Sequence, residues 1–279
     1  MKQIPRLLAI TDLSGHSSTS LQAVISLAAA LGVKVTALPT AVLSSNTEQP
    51  NFRIADLSDY LQDFLNQWKE LNLKFDAILS GFLSSESQTS AVQQAISDFH
   101  SPQTLTVIDP VMADQGELYP CFEQNIVTSL RSLLKDADLI TPNLTEAAFL
   151  LNLSYDSKPS LKQVKTWCRE LAKLGPKKVV ITDVPVLNKP KLTSVLAYDS
   201  ANDVFHRTLC RYLTVNFPGT GDIFTCVLTC LLLQGKEFFF AIDQTVLFIN
   251  NAMRLTIKMG TPAAEGICLP AVLKYLPQV

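Results

Sequence analysis

Glycine is scarce in this sequence, and no apolar run is long. The chain has 10 glycines in 279 residues, whereas about 7% is usual. No segment has the roughly 18 consecutive apolar residues that a membrane-spanning helix requires. The first apolar run ends at Thr11-Asp12, too early for a secretory signal peptide. We therefore expect a cytoplasmic protein with no membrane partner.

An excess of positive charge is also missing. The formal net charge is −2 at pH 7, and no cluster of Lys or Arg is longer than Lys177-Lys178. Proteins that bind a nucleic-acid backbone present a basic patch or stripe. The composition therefore predicts that nucleic acid is not a partner.

Two phosphate-binding motifs and the C-x-x-C motif are absent from the sequence. The sequence has no G-x-x-x-x-G-K-[ST] loop and no G-x-G-x-x-G after its first predicted strand. The missing G-x-x-x-x-G-K-[ST] loop argues against a P-loop enzyme. The missing G-x-G-x-x-G motif weakens the case for a dinucleotide-binding enzyme. The six cysteines contain no C-x-x-C pair. Cys226 and Cys230 lie four positions apart in an apolar helical segment, which favours buried free thiols over a metal or redox site.

What is present is an alternation of short β-branched runs with longer segments of helical period. With 47% hydrophobic residues, the chain can bury a large core. The alternation is typical of βα units on a parallel sheet. We predict an α/β fold with one domain over residues 1–279 and a hairpin, Thr193–Tyr198 with Val204–Leu209, at the sheet edge. The predicted strands are Leu7–Thr11, Val33–Ala37, Asp76–Ser80, Leu105–Asp109, Leu139–Thr141 and Lys178–Thr182. The predicted helices are Ser18–Leu31, Leu57–Leu71, Glu86–Phe99, Phe122–Leu134, Leu161–Lys173, Ile223–Leu233, Phe238–Lys258 and Cys268–Tyr275.

Polar residues collect where the predicted strands end. The carboxyl ends of parallel strands line the ligand crevice of open α/β sheets, so we expect these side chains to share one polar crevice. The polar stretch Ser44–Arg53 is predicted to be a loop over this site, not a domain boundary. The strand-end residues are Thr11-Asp12, Ser80-Gly81, Asp109-Pro110, Thr141-Pro142-Asn143 and Thr182-Asp183.

Two of the few glycines flank Thr220 directly before an apolar helical stretch, in Gly219-Thr220-Gly221-Asp222. Glycines at a helix start allow backbone N–H groups to converge on an anion, and the helix dipole adds positive potential there. A carboxylate in the first turn would repel a bound phosphate unless it has a function. We infer that Asp222 removes a proton from an incoming hydroxyl. The alternative is a glycine-rich turn with Asp222 as an ordinary helix-start residue.

Two further segments are rich in oxygen ligands. Asp109 and Asp114 lie five positions apart across a proline turn, and each can hold a hydrated divalent cation. Asn143 and Glu146 lie at a predicted helix start, where an N-cap and a capping box would also explain them. Oxygen ligands without paired His or Cys, beside an anion cradle, are typical of magnesium–nucleotide chemistry.

Taken together, these segments resemble the ribokinase-like superfamily and, within it, pyridoxal (vitamin B6) kinases, especially the bacterial pyridoxamine-kinase-like group. The similarity extends over nearly the whole chain. The Gly-Thr-Gly-Asp motif is specific to the superfamily, the Asp-Pro-Val and Thr-Pro-Asn segments indicate the vitamin kinases, and the Leu-Pro-Thr-Ala-Val-Leu-Ser stretch indicates the B6 group. The segments that carry the resemblance are Ala9–Gly15, Leu38–Ser44 with Thr47, Lys74–Leu83, Asp109–Asp114, Gly116–Tyr119, Ile140–Ala147 and Gly219–Asp222.

The resemblance implies a fold and a reaction. The fold is the three-layer αβα ribokinase-like fold with a mostly parallel central sheet. The reaction is transfer of the γ-phosphoryl group of ATP to the 5′-hydroxyl of pyridoxal, pyridoxine or pyridoxamine. Mg²⁺ is implied as a cofactor, a monovalent cation such as K⁺ is compatible with it, and a homodimer is the implied assembly.

The resemblance also implies residue roles. Asp222 is the base, and the amides of Gly219, Thr220 and Gly221 hold the migrating phosphoryl group. The implied magnesium ligands are Asp109, Asn143 and Glu146. The vitamin ring is expected against Asp12, Ser14, Thr47 and Phe82. The residues expected around the nucleotide are Asp109, Asp114, Tyr119 in a flap over the phosphates, Thr141, Asn143, Glu146, Thr182 and Thr220.

The chain departs from these relatives in the loop beside the substrate. It has His16–Ser20 where relatives carry a Gly-Phe-Gly-Arg-Cys-Ser segment. Glu48 stands where a glycine often follows Thr47, and Ala113 replaces the glycine before Asp114. These changes leave the vitamer preference open.

Two other functions remain open. A hydroxymethylpyrimidine kinase of thiamine synthesis shares the fold, the base and a flat heteroaromatic alcohol substrate. A non-catalytic or catalytically weak B6-vitamer-binding homologue could have kept the fold alone. Intact Asp222, Asn143 and Glu146 argue against a pure binder, because binding requires neither a base nor a metal network.

Overall fold

In the computed structural model, which describes residues 3–122 and 125–277, nine strands form one central sheet. Their order across it is β11-β10-β9-β8-β5-β4-β1-β2-β3, while β6 and β7 form a separate hairpin. The strands are β1 (Arg6–Ser14), β2 (Lys34–Leu43), β3 (Ile54–Asp56), β4 (Ala77–Ser80), β5 (Leu105–Ile108), β6 (Ala113–Asp114), β7 (Glu117–Leu118), β8 (Leu139–Ile140), β9 (Lys178–Pro185), β10 (Leu192–Asp199) and β11 (Val204–Arg211).

Helices cover both faces of this sheet. They are α1 (Ser20–Ala30), α2 (Ser58–Glu70), α3 (Glu86–Phe99), α4 (Asn125–Leu133), α5 (Leu144–Leu150), α6 (Leu161–Ala172), α7 (Thr220–Leu233), α8 (Phe238–Met259) and α9 (Leu269–Val272). No helix in the described part of the chain combines the length and the apolar character needed to cross a bilayer.

The inner strands are apolar throughout because both of their faces are buried. Along β1, Leu8 and Ile10 pack with α2 to α6, whereas Leu7 and Ala9 pack with α1, α7 and α8. Period-two alternation between two cores is what a parallel sheet covered on both faces requires. The sheet is therefore the middle of three layers, and the predicted αβα fold is confirmed.

The direction in which successive strands are added to the sheet reverses at β1. Strand β1 pairs in parallel with β2 on one side and with β4 on the other. In doubly wound sheets a crevice opens at such a switch point, outside the carboxyl ends of the strands. Asp12 near the end of β1 and Gly81 directly after β4 lie at this crevice.

Strand β2 is longer than predicted. The predicted end at Ala37 was wrong, because β2 continues to Leu43 through Pro39, a residue that has no N–H for the ladder. Thr11 pairs with Pro39 and Leu13 with Val42, so β2 has one extra residue opposite Asp12. A β-bulge of this kind bends a strand and redirects side chains next to functional sites.

Most other predicted elements are confirmed within one or two residues, including the antiparallel edge hairpin, now β10 and β11. The predicted helix Phe122–Leu134 begins at Asn125 in the structure, and residues 123–124 lie outside the described residues. The predicted helix Cys268–Tyr275 was wrong in part, because only Leu269–Val272 is α-helical and a 3₁₀ turn follows. Strands β3, β6 and β7 were not predicted, since each has only two or three residues.

Candidate active site

Four acidic side chains meet at the crevice. Asp12, Asp109 and Glu146 are each 4% exposed or less, and Asp222 is partly buried at the start of α7. None of the ion pairs formed by the described residues includes any of the four. Buried carboxylates without a cationic partner are unfavourable in the empty protein, so the crevice is suited to a positively charged ligand.

The position of Asp222 is set by contacts from distant parts of the chain. Its Oδ2 accepts a hydrogen bond from the backbone N–H of Ser20 at 2.8 Å. Ser20 has a left-handed backbone, with φ of 50°, which is costly for a residue with a side chain. On the other side, a Cβ atom built on Gly81 would lie 3.9 Å from Oδ1 of Asp222. The carboxylate is therefore held between the start of α1 and the end of β4.

The first turn of α7 has the features of an anion cradle. Gly219 is the N-cap, with φ of 82°, and no side chain caps the helix. The hydroxyl of Thr220 donates to the carbonyl of Phe217 at 2.6 Å and so does not cap the amides of the first turn. The N–H groups of Gly221 and Asp222 belong to the first helical turn, which has no intrahelical acceptor. They are available to bind negatively charged oxygen.

Gly219 and Gly221 are glycines for different reasons. A Cβ on Gly219 would lie 2.6 Å from Cγ2 and 3.0 Å from Cα of Thr19, so the fold itself demands a glycine. A Cβ on Gly221 would meet only Oδ2 of Asp109, at 3.9 Å, an ordinary contact. Since the protein leaves room for a side chain at Gly221, the bare backbone there is not needed for packing.

Asp109 is held by two threonines. Thr225, on α7, donates its hydroxyl to Oδ2 of Asp109 at 2.9 Å. The hydroxyl of Thr141 lies 2.9 Å from that of Thr225. Burial raises the pKa of the Asp109 carboxyl, although these hydroxyls oppose the rise. The predicted neighbours Asp109 and Thr141 are thus brought together through Thr225.

The capping alternative for Asn143 and Glu146 is present in the structure. Asn143 Oδ1 accepts from the N–H of Glu146 at 2.9 Å, and Glu146 Oε2 accepts from the N–H of Asn143 at 2.8 Å. The second Glu146 oxygen, Oε1, accepts from the N–H of Met112 at 3.1 Å. Burial, followed by the charge of Asp109, raises the pKa of Glu146 well above its usual range. Glu146 therefore ties the start of α5 to the segment after β5.

Glu146→Gln should destabilise the fold, whatever else Glu146 does. Glutamine has one acceptor oxygen, so its amide N–H₂ would face either the Met112 or the Asn143 N–H. We expect the free energy of unfolding to fall by about 1–3 kcal/mol, the cost of leaving a buried donor unpaired. Urea unfolding measures this loss, and Glu117→Gln, at an exposed glutamate, is the matched control. Equal stability of both variants would contradict the observed hydrogen bonds.

Asp12 and Phe82, both predicted to contact the vitamin ring, lie near the ends of the neighbouring strands β1 and β4. Oδ2 of Asp12 accepts from the hydroxyl of Ser14 at 3.0 Å, and burial raises the pKa of Asp12. The backbone of Phe82 is fixed from both sides, by the hydroxyl of Thr11 on its N–H at 3.0 Å and the hydroxyl of Thr40 on its carbonyl at 3.1 Å. The ring of Phe82 packs on Phe122 with centroids 5.1 Å apart. Thr47 lies farther out, exposed on the loop after β2.

Asp114, Tyr119 and Thr182 are among the residues predicted to surround the nucleotide. Asp114 lies on β6 and accepts from the N–H of Gln115 at 2.8 Å. Burial, together with the charges of Glu146, Asp114, Asp222 and Asp109, raises the pKa of Tyr119, so its ring lies near the cluster of acids. Thr182 is partly buried on β9, and its N–H donates to the carbonyl of Pro142 at 3.0 Å.

Ser20 and Thr225 are site residues that the sequence did not reveal. Ser20 is the first residue of α1, and no local motif shows that its N–H reaches Asp222. Thr225 follows Asp222 by three positions, which places both on one face of a helix. That spacing was the available signal for Thr225.

The donor set suits Mg²⁺ better than a transition metal. Within residues 3–122 and 125–277, no group of three or more His, Cys, Asp and Glu side chains could hold a metal ion alone. Mg²⁺ keeps several waters and uses one or two carboxylates plus substrate phosphates. Asp109 is the best candidate ligand, because both oxygens of Glu146 already accept backbone hydrogen bonds.

The chain is similar to known kinases over most of its length. The sequence pattern that defines the phosphomethylpyrimidine kinase family matches residues 17–266. The chain is 40% identical to a Bacteroides thetaiotaomicron protein named as a phosphomethylpyrimidine kinase and crystallised with pyridoxal. The match covers 98% of this chain and 96% of that one, with a TM-score of 0.95.

Two further relatives are a pyridoxal kinase and a thiamine biosynthetic enzyme. The crystal structure of pyridoxal kinase from Lactobacillus plantarum is 29% identical, with a TM-score of 0.89 over 98% of this chain and 97% of that one. The chloroplastic thiamine biosynthetic bifunctional enzyme TH1 of Arabidopsis thaliana is 26% identical over 264 residues, which are 91% of this chain and 47% of that enzyme. The chain thus spans about half the length of this curated relative.

Proposed function

We propose that this chain, which belongs to the phosphomethylpyrimidine kinase family, transfers the γ-phosphoryl group of ATP to the 5′-hydroxymethyl group of pyridoxal, pyridoxine or pyridoxamine. The observation that carries this proposal is the juxtaposition of Asp222 with the uncapped amides of α7. A base and an anion cradle on one helical turn suit phosphoryl transfer, which depends on alignment and charge stabilisation.

In this reaction Asp222 accepts the proton of the attacking hydroxyl. The N–H of Ser20 holds one carboxylate oxygen at 2.8 Å, which leaves the other, Oδ1, on the side of Gly81. The backbone amides of Gly221 and Asp222 stabilise the negative charge of the phosphoryl group during its transfer. Mg²⁺, when bound, neutralises the phosphates, with Asp109 as the proposed ligand.

Pyridoxal is the better-supported acceptor. The 40% identical Bacteroides protein was crystallised with pyridoxal, and the Phe82 and Asp12 side of the crevice offers an aromatic face and a carboxylate. The second candidate is hydroxymethylpyrimidine, which the family description and the thiamine enzyme favour. Both acceptors are flat heteroaromatic alcohols, so the pocket alone decides between them.

A coupled ADP-release assay tests the proposal. The wild-type protein is given ATP, Mg²⁺ and, in turn, each of the three B6 vitamers and hydroxymethylpyrimidine. We expect the highest kcat/KM with a B6 vitamer. A higher value with hydroxymethylpyrimidine would replace the proposal by the second candidate. Vitamer binding without product formation from any acceptor would identify a binding protein.

Asp12→Ser should change the pH dependence of the reaction as well as the acceptor affinity. Burial and the charge of Asp12 raise the pKa of Asp222 to about 8, so kcat/KM should rise with pH as Asp222 loses its proton. Removal of the Asp12 charge lowers the Asp222 pKa, so the rise in kcat/KM should occur at lower pH. A ring contact by Asp12 would also change KM for the vitamer, since a charge-assisted hydrogen bond is worth about 1.5–3 kcal/mol.

We would measure kcat/KM, together with KM for the vitamer and for ATP, for wild type and Asp12→Ser between pH 6 and 9. KM for ATP should stay nearly constant, because Asp12 lies at the acceptor end of the crevice. If Asp12→Ser changes neither the pH dependence of kcat/KM nor the KM for the vitamer, Asp12 neither raises the Asp222 pKa nor contacts the ring. Parallel changes in KM for ATP and vitamer would reject the ring contact.

A further inference from the structure

The polar loop after β2, residues 44–53, is fastened to a turn near the end of the described chain. Asn46 is 5% exposed although its neighbours Thr47 and Glu48 are exposed. Its Nδ2 donates to the carbonyl of Ala264 at 2.7 Å, and its Oδ1 accepts from the N–H of Glu48 at 3.0 Å. One amide therefore shapes the loop from within and attaches it to a partner 218 positions away.

That partner is a tight turn, residues 262–266, which also contacts the segment before α1 and the segment before α7. The carbonyl of Glu265 accepts from the N–H of Ser18 at 3.3 Å. A Cβ on Gly266, where φ is 76°, would lie 3.0 Å from the carbonyl oxygen of Pro218. Ser18 precedes Ser20, and Pro218 precedes the α7 cradle. The 262–266 turn therefore connects residues 44–53 with the segments that lead into α1 and α7.

We propose that Asn46 is a positioning residue for the acceptor: it holds residues 44–53 against the 262–266 turn, and thereby keeps this loop, which follows the pairing of Leu43 with Ser14, beside the Asp12 side of the crevice. This inference rests on the proposed function. Asn46 acts through the loop and touches neither the hydroxyl nor the phosphates. Its loss should weaken acceptor binding and leave ATP binding unchanged.

Asn46→Asp separates the two hydrogen bonds. Aspartate still accepts from the Glu48 N–H, but it has no donor for the Ala264 carbonyl, and its charge faces that oxygen. Asn46→Ala removes both bonds. Glu48→Ala is the matched control, since the Glu48 side chain is exposed and only its backbone takes part. Gln49→Ala removes the longer contact to the same carbonyl, 3.4 Å, and should have a smaller effect than Asn46→Asp.

The first measurement is amide hydrogen exchange without substrates. In Asn46→Asp, we expect exchange in residues 44–53 and 262–266 to quicken by about fivefold to tenfold, as loss of one hydrogen bond implies. The central sheet should keep its protection, which shows that the fold is intact. Exchange equal to that of wild type would overturn the proposed attachment.

The second measurement is steady-state kinetics with the preferred acceptor. KM for the acceptor should rise by about fivefold to tenfold in Asn46→Asp and Asn46→Ala, with KM for ATP unchanged and Glu48→Ala equal to wild type. Faster exchange with an unchanged acceptor KM would overturn the positioning role. If the wild-type protein phosphorylates no acceptor, the proposed function fails, and exchange alone then decides whether Asn46 holds the loop.

Discussion

Asp222→Asn is expected to lower kcat by about 10²–10⁴, the usual contribution of a positioned general base. Asparagine keeps the shape of aspartate, and its oxygen can still accept the Ser20 N–H that holds Asp222 at 2.8 Å. The variant therefore removes the proton acceptor and leaves the cradle and the crevice in place. Binding of ATP and of the acceptor should stay within several-fold of wild type.

The rate is measured under saturating ATP and acceptor, beside Asp136→Asn as a control at an exposed aspartate. Binding is followed separately by calorimetry, so that lost affinity is not mistaken for lost chemistry. If Asp222→Asn keeps more than about a third of the wild-type kcat, the loss is too small for a general base. Asp222 would then be an ordinary residue of the first helical turn.

Gly221→Ala is expected to leave the protein as stable as wild type, or more stable, and to lower kcat/KM by about 10²-fold, a loss typical of small misplacements of reacting groups. The added methyl group would meet only Asp109 Oδ2, at 3.9 Å, and alanine favours helix over glycine by about 1 kcal/mol. The same methyl group would project where the amides of the α7 cradle receive a phosphoryl oxygen. A gain in stability with a loss of activity is the mark of a glycine kept for a ligand.

Gly219→Ala is the comparison that makes this result interpretable. At Gly219 the methyl group would clash with Thr19, and φ is 82°, so this variant should lose both stability and activity. Thermal unfolding and kinetics are measured on both variants. Full activity in Gly221→Ala would show that no ligand approaches this backbone, and the anion cradle would have to be abandoned.

The layers of the fold could be predicted because they depend on local pattern. Strands such as β1 are buried on both faces and appear as continuous apolar runs, and α3 shows helical period and a Ser85 N-cap that accepts from Gln88. The short strand β3 could not be recognised, since its three residues are exposed. The true end of β2 lies beyond Pro39, which has no N–H for the ladder and pairs with Thr11 directly before the bulge opposite Asp12.

The geometry of the candidate site was predictable where a local sequence motif forms it. The Gly219–Asp222 segment, the strand-end carboxylates and the capping box of Asn143 and Glu146 all depend on neighbours in sequence. The supports of the base do not. Ser20 and Asp222 are 202 positions apart, and nothing near either residue shows that they meet.

The long separation between these contacts also bears on how activity is acquired. Thr225 and Asp109 lie 116 positions apart, and Ser20 and Asp222 lie 202 apart. Loop closure becomes more costly in entropy as the separation grows, so such contacts form after the neighbouring βα units have folded. A chain still emerging from the ribosome can complete β1 to β9 before α7 exists, and it then has the acids of the crevice but neither base nor cradle. Recovery of activity after dilution from denaturant therefore reports the last tertiary contacts to form, while recovery of secondary structure reports the sheet.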